Sequence, residues 1–151
     1  MQTLGLRSLR SDYEKICAVC GYVAEHVTYD KVHAKNPHYH LKTTCYAALC
    51  QGTAVCQGYA VAVYRLLREA GVGVRVITGL GSQYGGTPEP HAWNIVCIEG
   101  LWYNVDVTWG SGTPGDPCFL RSDADFAGHQ RDAAYLGDAF LSQYPMSAQS
   151  R

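Results

Sequence analysis

The segment from Gly52 to Gly71 constrains the fold of this chain more than any other. Within it Cys56, Tyr59, Ala60, Val63, Leu66, Leu67 and Ala70 recur at i, i+3, i+4 and i+7, the stripe of an amphipathic helix laid on a core. Gly52 and Thr53 break the chain before it, and Gly71 stands where a left-handed residue ends a helix. The pattern predicts a helix over 56–70 with Cys56 in its first turn. A thiol there meets unpaired backbone N–H groups and the positive end of the helix dipole, which favour thiolate. The same position suits a small buried side chain, since cysteine is among the residue types most often buried. Partners elsewhere in the chain have to decide between the two.

At 151 residues, with no internal repeat or linker, a single domain over 1–151 is expected. Hydrophobic residues make up 47% of it and aromatic residues 11%, values that fit a globular chain and not a disordered one. A formal net charge of −1 without a basic block argues against nucleic acid or an anionic membrane as partner. The first ten residues lack the apolar segment of a signal peptide, and no run reaches transmembrane length, so membrane insertion is not expected. Compartment and oligomeric state stay open. Seven cysteines, an odd number, fall mostly within apolar patterns, which leans towards reduced thiols over a disulfide framework.

Residues 1–10 read as a loose lead-in. Ser11 and Glu14 form a capping box ahead of the stripe Tyr13, Ile16, Cys17, Cys20, Val23, Ala24 and Val27, predicting a helix over 12–27. Cys17-x-x-Cys20 belongs to that stripe. A redox pair needs its first thiol at a helix N-terminus, so packing is the better reading. Residues 28–42 have no period and hold His33, His38 and His40. No second cluster at ligand spacing accompanies them, so no metal site is expected, although a long loop of this kind often borders a cleft. Thr44 caps a short helix over 45–50. A strand over 72–80 follows the central helix, then a glycine-rich loop over 81–90 and two strands, 91–98 and 101–108. Beyond a loop at 110–117, a short strand over 118–120 and one or two short helices within 123–141 complete the reading.

The two strands joined by Glu99-Gly100 form a hairpin whose register can be worked out. With a two-residue loop Ile98 faces Leu101, Trp93 faces Asp106 and His91 faces Thr108. His91 and Asp106 then share a face as diagonal neighbours, with Cα atoms ~7–8 Å apart. A three-residue loop would put them on opposite faces. A carboxylate inside the apolar run 102–107 is costly unless paired, which favours the contact. A histidine oriented by a carboxylate, beside a cysteine at a helix N-terminus, is an arrangement for acyl transfer. Gln51 and Gln57, either side of the nucleophile, are candidate oxyanion or substrate-binding groups, although exposed helix-end glutamines are common. Among the aromatic residues Tyr59, Trp93, Trp102, Tyr103 and Trp109, most belong to a core. Trp93, with Tyr84 on the glycine-rich loop, is also a candidate for a substrate groove.

Gly52 to Ala60 (GTAVCQGYA), His91 to Val96 (HAWNIV) and Trp102 to Trp109 (WYNVDVTW) resemble the three core motifs of the transglutaminase-like superfamily. The likeness spans roughly 12–125 and includes Tyr29-Asp30, after the first helix, and Phe119-Leu120 with Ser122-Asp123, after the third motif. It implies an α+β, papain-like fold in which N-terminal helices and a nucleophile helix pack on an antiparallel sheet. It also implies a catalytic Cys56, His91 and Asp106 in that order, with no cofactor or metal. Cys20-Gly21, where bacterial relatives often carry His-Asp, and Gly110, where an acidic residue is frequent, bear on subfamily only. The extra domains and calcium sites of animal transglutaminases exceed this length. The expected reaction is cysteine-dependent acyl transfer on a peptide or glutamine side-chain amide, most simply hydrolysis, with a protein or peptide as partner. The alternatives are an amine-accepting, cross-linking transglutaminase and a catalytically inactive peptide-binding module.

Overall fold

A computed structural model describes residues 5–151. Helix α1 spans Asp12–His26. Its first turn is closed by the expected capping box, in which Glu14 N–H donates to Ser11 Oγ at 3.1 Å while the Glu14 carboxylate accepts from the Ser11 N–H. Ile16, Val19, Cys20 and Val23 form its buried stripe. Of the lead-in, residues 1–4 lie outside the described residues, and Leu6 is tied down, buried in the core. Tyr29 and Asp30 follow α1: strand β1 (Thr28–Tyr29) runs parallel to β2 (Thr53–Ala54), and this pairing docks the segment before Cys56 beside the end of α1.

Helix α2 spans Cys56–Glu69 and buries Tyr59, Ala62, Val63, Leu66 and Leu67 against α1 and the sheet. Each such side chain contributes about 1.5–3 kcal/mol when fully buried, so α2 is the principal core element. The region after Thr44 is a single wide turn, Ala47–Gln51, with the Thr44 hydroxyl accepting from Ala47 N–H at 3.1 Å.

The main sheet has the order β5-β4-β3-β6 and is antiparallel throughout, with β3 at Val74–Gly81, β4 at Glu89–Ile98, β5 at Leu101–Val105 and β6 at His129–Arg131. The β4–β5 register pairs Ile98 with Leu101 and Asn94 with Val105, as a two-residue loop requires. Glu99 and Gly100 both have positive φ, 53° and 84°, the conformation of a tight hairpin turn. Asn94 reaches from β4 to both neighbouring elements, donating to the carbonyls of Ala60 on α2 (3.0 Å) and Arg75 on β3 (3.2 Å).

Beyond shifts of one or two residues at the ends of β3 and β4, three features differ from expectation. Strand β5 stops at Val105 instead of 108, because the Asp106 carboxylate accepts the Thr108 and Trp109 N–H groups and turns the chain. Residues 118–120 form no strand; one isolated bridge joins Arg121 to Asn104. The segment expected to hold one or two short helices carries β6 first, and after it a 3₁₀ turn at Ala133–Tyr135 and a short helix, α3, at Asp138–Gln143.

Gly58 decides how closely α2 approaches its surroundings. A Cβ there would stand 2.5 Å from Ala54 Cβ and 2.7 Å from the Lys42 carbonyl oxygen. Alanine is the better helix former, yet Gly58→Ala is expected to lower stability by about 1–3 kcal/mol through overpacking. Urea unfolding should show a lower midpoint with unchanged slope; an equal or higher midpoint would contradict this packing.

Candidate active site

Cys56 is the first residue of α2, and Val55 before it supplies no side-chain cap, so no side chain occupies the helix N-terminus at the thiol. The thiol is half-buried and opens on a cleft of about 610 Å³. His91 comes from β4 and forms the opposite part of the lining with Trp109, while Tyr29, Lys31, Gln83, Glu89 and Thr108 surround them.

The hairpin brings His91 and Asp106 onto one face, and His91 Nε2 lies 2.7 Å from Asp106 Oδ2. That leaves Nδ1 as the nitrogen for the Cys56 thiol, which lines the same cleft. Trp109 stacks on the His91 ring at 4.3 Å and 18°, a favourable face for an imidazolium. Gly81 on β3 makes room for the ring, since a Cβ there would sit 2.8 Å from His91 Cγ.

Electrostatics follow from these contacts. Burial pulls the His91 imidazolium down, but the hydrogen bond to Asp106 and the interaction with Cys56 outweigh it and hold the ring up at about 9. Burial likewise works to raise the Asp106 carboxyl, and hydrogen bonds from His129 and His91 carry it below its ordinary value instead. Burial pushes Cys118 up to about 12, with Asp106 adding to the effect, and drives the enclosed Cys20 higher still.

His129 is the residue that sequence reasoning missed. Its Nε2 also lies 2.7 Å from Asp106 Oδ2, so two rings share one carboxylate oxygen. A lone histidine in a segment without period carries no signal of this. His91, His129 and Asp106 form the grouping of potential metal ligands among the described residues, their ligand atoms all within 4.8 Å. Two ligands on one zinc ion stand ~3.3 Å apart at the usual bond lengths, so the 2.7 Å spacings are those of hydrogen bonds. His33 is engaged instead with the Asp30 carboxylate at 2.9 Å and stacks on Tyr39.

The remaining candidates are dispersed. Trp93 is 1% exposed and does not line the cleft; its indole N–H donates to Asn104 Oδ1 at 3.3 Å, and its ring packs behind the histidines. Trp93 shares the face of β4 that carries His91 but lies two residues further along the strand, in the smaller core with Ile77, Ile95 and Phe126. Tyr84 is almost fully exposed and lines an adjoining hollow that shares Gln83 and Trp109 with the cleft. The Gln51 and Gln57 side chains are exposed and outside the cleft lining.

The raised His91 value has a definite consequence. Its contribution to stability is complete below about 6.5 and is lost as pH rises through about 9. Imidazole NMR should show His91 titrating near 9, and Asp106→Asn should bring it back towards the ordinary range. Titration of His91 at or below 6.5 in the unmutated protein would exclude the paired geometry.

Residues 4–107 match the family model of the transglutaminase-like superfamily. The chain is similar to the kyphoscoliosis peptidase of Mus musculus, 31% identical over 146 aligned residues, covering 89% of this chain and 22% of the mouse protein. It is similar to the Homo sapiens kyphoscoliosis peptidase at 32% over 114 residues, 71% of this chain and 17% of the human one. It thus spans about a fifth of these curated relatives. Among solved structures it resembles a TGase, with TM-score 0.61 and 25% identity over 89% of this chain and 32% of that one. A candidate cysteine protease from Cytophaga hutchinsonii shares the fold, with TM-score 0.57 and 20% identity over 69% of this chain and 34% of that one. The family match supports cysteine-dependent catalysis in the broad sense. The chain, an α+β structure with a curled antiparallel sheet, belongs to the transglutaminase-like superfamily.

Proposed function

We propose that the protein hydrolyses peptide or glutamine side-chain amides through a thioester on Cys56, with His91 as base and Asp106 as its orienting acid. The observation that carries this reading is the continuous line from the thiol at the start of α2, through His91, to the buried Asp106 carboxylate. In the first step the sulfur attacks the amide carbon. Backbone N–H groups of the first turn of α2 receive the developing oxyanion. The C–N bond breaks, and the amine or ammonia leaves with the proton held by His91. Water then attacks the thioester, His91 takes its proton, and the carboxylate product leaves with the thiol restored.

Water as acceptor fits a cleft edged by Lys31, Gln83, Thr87 and Glu89, and the peptidase names of the curated relatives point the same way. The resemblance to a TGase favours a second reading, in which a primary amine takes the acyl group in place of water.

Glutamine-containing peptides incubated with and without a labelled primary amine, and analysed by mass spectrometry, separate the two. Chain cleavage or ammonia release without amine incorporation is expected. Efficient incorporation would replace hydrolysis by cross-linking. Cys56→Ala and His91→Ala should each lower turnover by about three orders of magnitude or more.

A further inference from the structure

His129 is absent from the reaction scheme, yet its placement is tightly determined. It stands on β6, 23 residues beyond Asp106, with its side chain 1% exposed. Antiparallel pairing of Gly79 with Arg131 and Gly81 with His129 fixes its backbone, and Gly79 admits the strand because a Cβ there would fall on the Gln130 carbonyl. The ring stacks on Phe126 at 3.6 Å and 15° and meets Trp93 edge-on at 4.9 Å. Nδ1 faces the Ala127 carbonyl oxygen at 3.1 Å, and Nε2 faces Asp106 Oδ2.

An ionised carboxylate only accepts hydrogen bonds, so both ring Nε2 atoms donate to it. Oδ2 receives His91 and His129, while Oδ1 receives the Thr108 and Trp109 N–H groups at 3.0 and 3.3 Å. Four donors thus fix a carboxylate that is 1% exposed. Without His129, Oδ2 would be free to turn away from His91.

We propose that His129 is a positioning residue that, through its hydrogen bond, holds the Asp106 carboxylate in the orientation that receives His91. The inference rests on the acyl-transfer reading above and adds a fourth side chain to it, from a segment beyond the 4–107 family match. Burial raises the Asp106 carboxyl, and among the interactions that bring it down the hydrogen bond from His129 stands ahead of that from His91. The titratable groups around the carboxylate are His91 from β4, His129 from β6 and Cys118 from the loop after β5. Cys56 of α2 meets it through His91, and Asp116 and Arg121 flank Cys118.

Two substitutions distinguish positioning from packing because they rank in opposite orders. His129→Phe keeps an aromatic ring between Phe126 and Trp93 but removes the donor. His129→Gln loses the stacking but carries an amide N–H close to the position of Nε2. The readout is the rate of Cys56 alkylation by iodoacetamide against pH, with thermal unfolding of each variant alongside. The Phe variant should react about 10–100-fold more slowly at neutral pH, with the acid limb moved up by about one unit. The Gln variant should stay near the unmutated rate and limb even where it is less stable. An unmutated profile for Phe, or a Gln variant as impaired as Phe, overturns the proposal. So does an His129 Nε2 without a proton in ¹⁵N spectra of the unmutated protein, which needs no variant to fold. If the unmutated protein neither hydrolyses the peptides nor incorporates the amine, the acyl-transfer reading fails on its own, while the alkylation order still measures what His129 does to Asp106.

Discussion

A carboxylate buried among aromatic rings is expensive, and the end of the sheet is arranged around one. Asp106 leaves water almost completely, a transfer that in an apolar environment would drive it to take up a proton. It stays below its ordinary value because two imidazoles and two backbone N–H groups converge on it. The same contacts end β5, turn the chain at Thr108 and Trp109, and place the Trp109 ring on His91. Strand boundary, turn and histidine orientation are therefore three consequences of satisfying one charged group.

Convergence of this kind needs backbone accuracy, which comes from several elements. The tight turn at Glu99-Gly100 sets the β4–β5 register, and a one-residue slip would send His91 and Asp106 to opposite faces. On the next strand Gly81 leaves the volume that the His91 ring fills, and Gly79 lets β6 approach with His129. On the helical side, the β1–β2 pairing and the close seat at Gly58 hold the first turn of α2 against the chain before it. Asn94 ties α2 to the sheet through the Ala60 carbonyl. The thiol and the histidine thus belong to elements joined by direct bonds.

Much of this was legible in the sequence because it depends on local periods. The 3.6-residue stripes of α1 and α2, the capping box, and the parity of a two-residue hairpin are short-range signals, and they placed Cys56 and His91 on the elements where they are found, with Asp106 just past the end of its strand. What was not legible depends on chain segments meeting from afar. His129 sits on a strand of three residues, too short for alternation to show, and pairs with β3 some fifty positions earlier. Trp93, read as a candidate for the groove, belongs to a second small core that is closed by Phe126 from the C-terminal third. Glycine spacing announced turns but not the close approaches at Gly58 and Gly81, where the absence of a Cβ matters to a neighbour distant in sequence.

Two thiols, Cys118 and Cys56, lie close to the carboxylate in different ways. Cys118 meets Asp106 without an intervening cation, so burial and the carboxylate's negative charge act together to keep it protonated, up to about 12. Cys56 meets the same carboxylate through His91, whose ring keeps its proton to about 9 and so turns a positive face towards the sulfur. Cys17 and Cys45 are held up by burial, and Cys20 more strongly still. The same buried anion thus faces Cys118 directly and Cys56 only across an imidazole. Asp106 receives both imidazoles only while its carboxylate stays ionised and fixed in a nearly dry site. The four N–H groups that converge on it provide that condition.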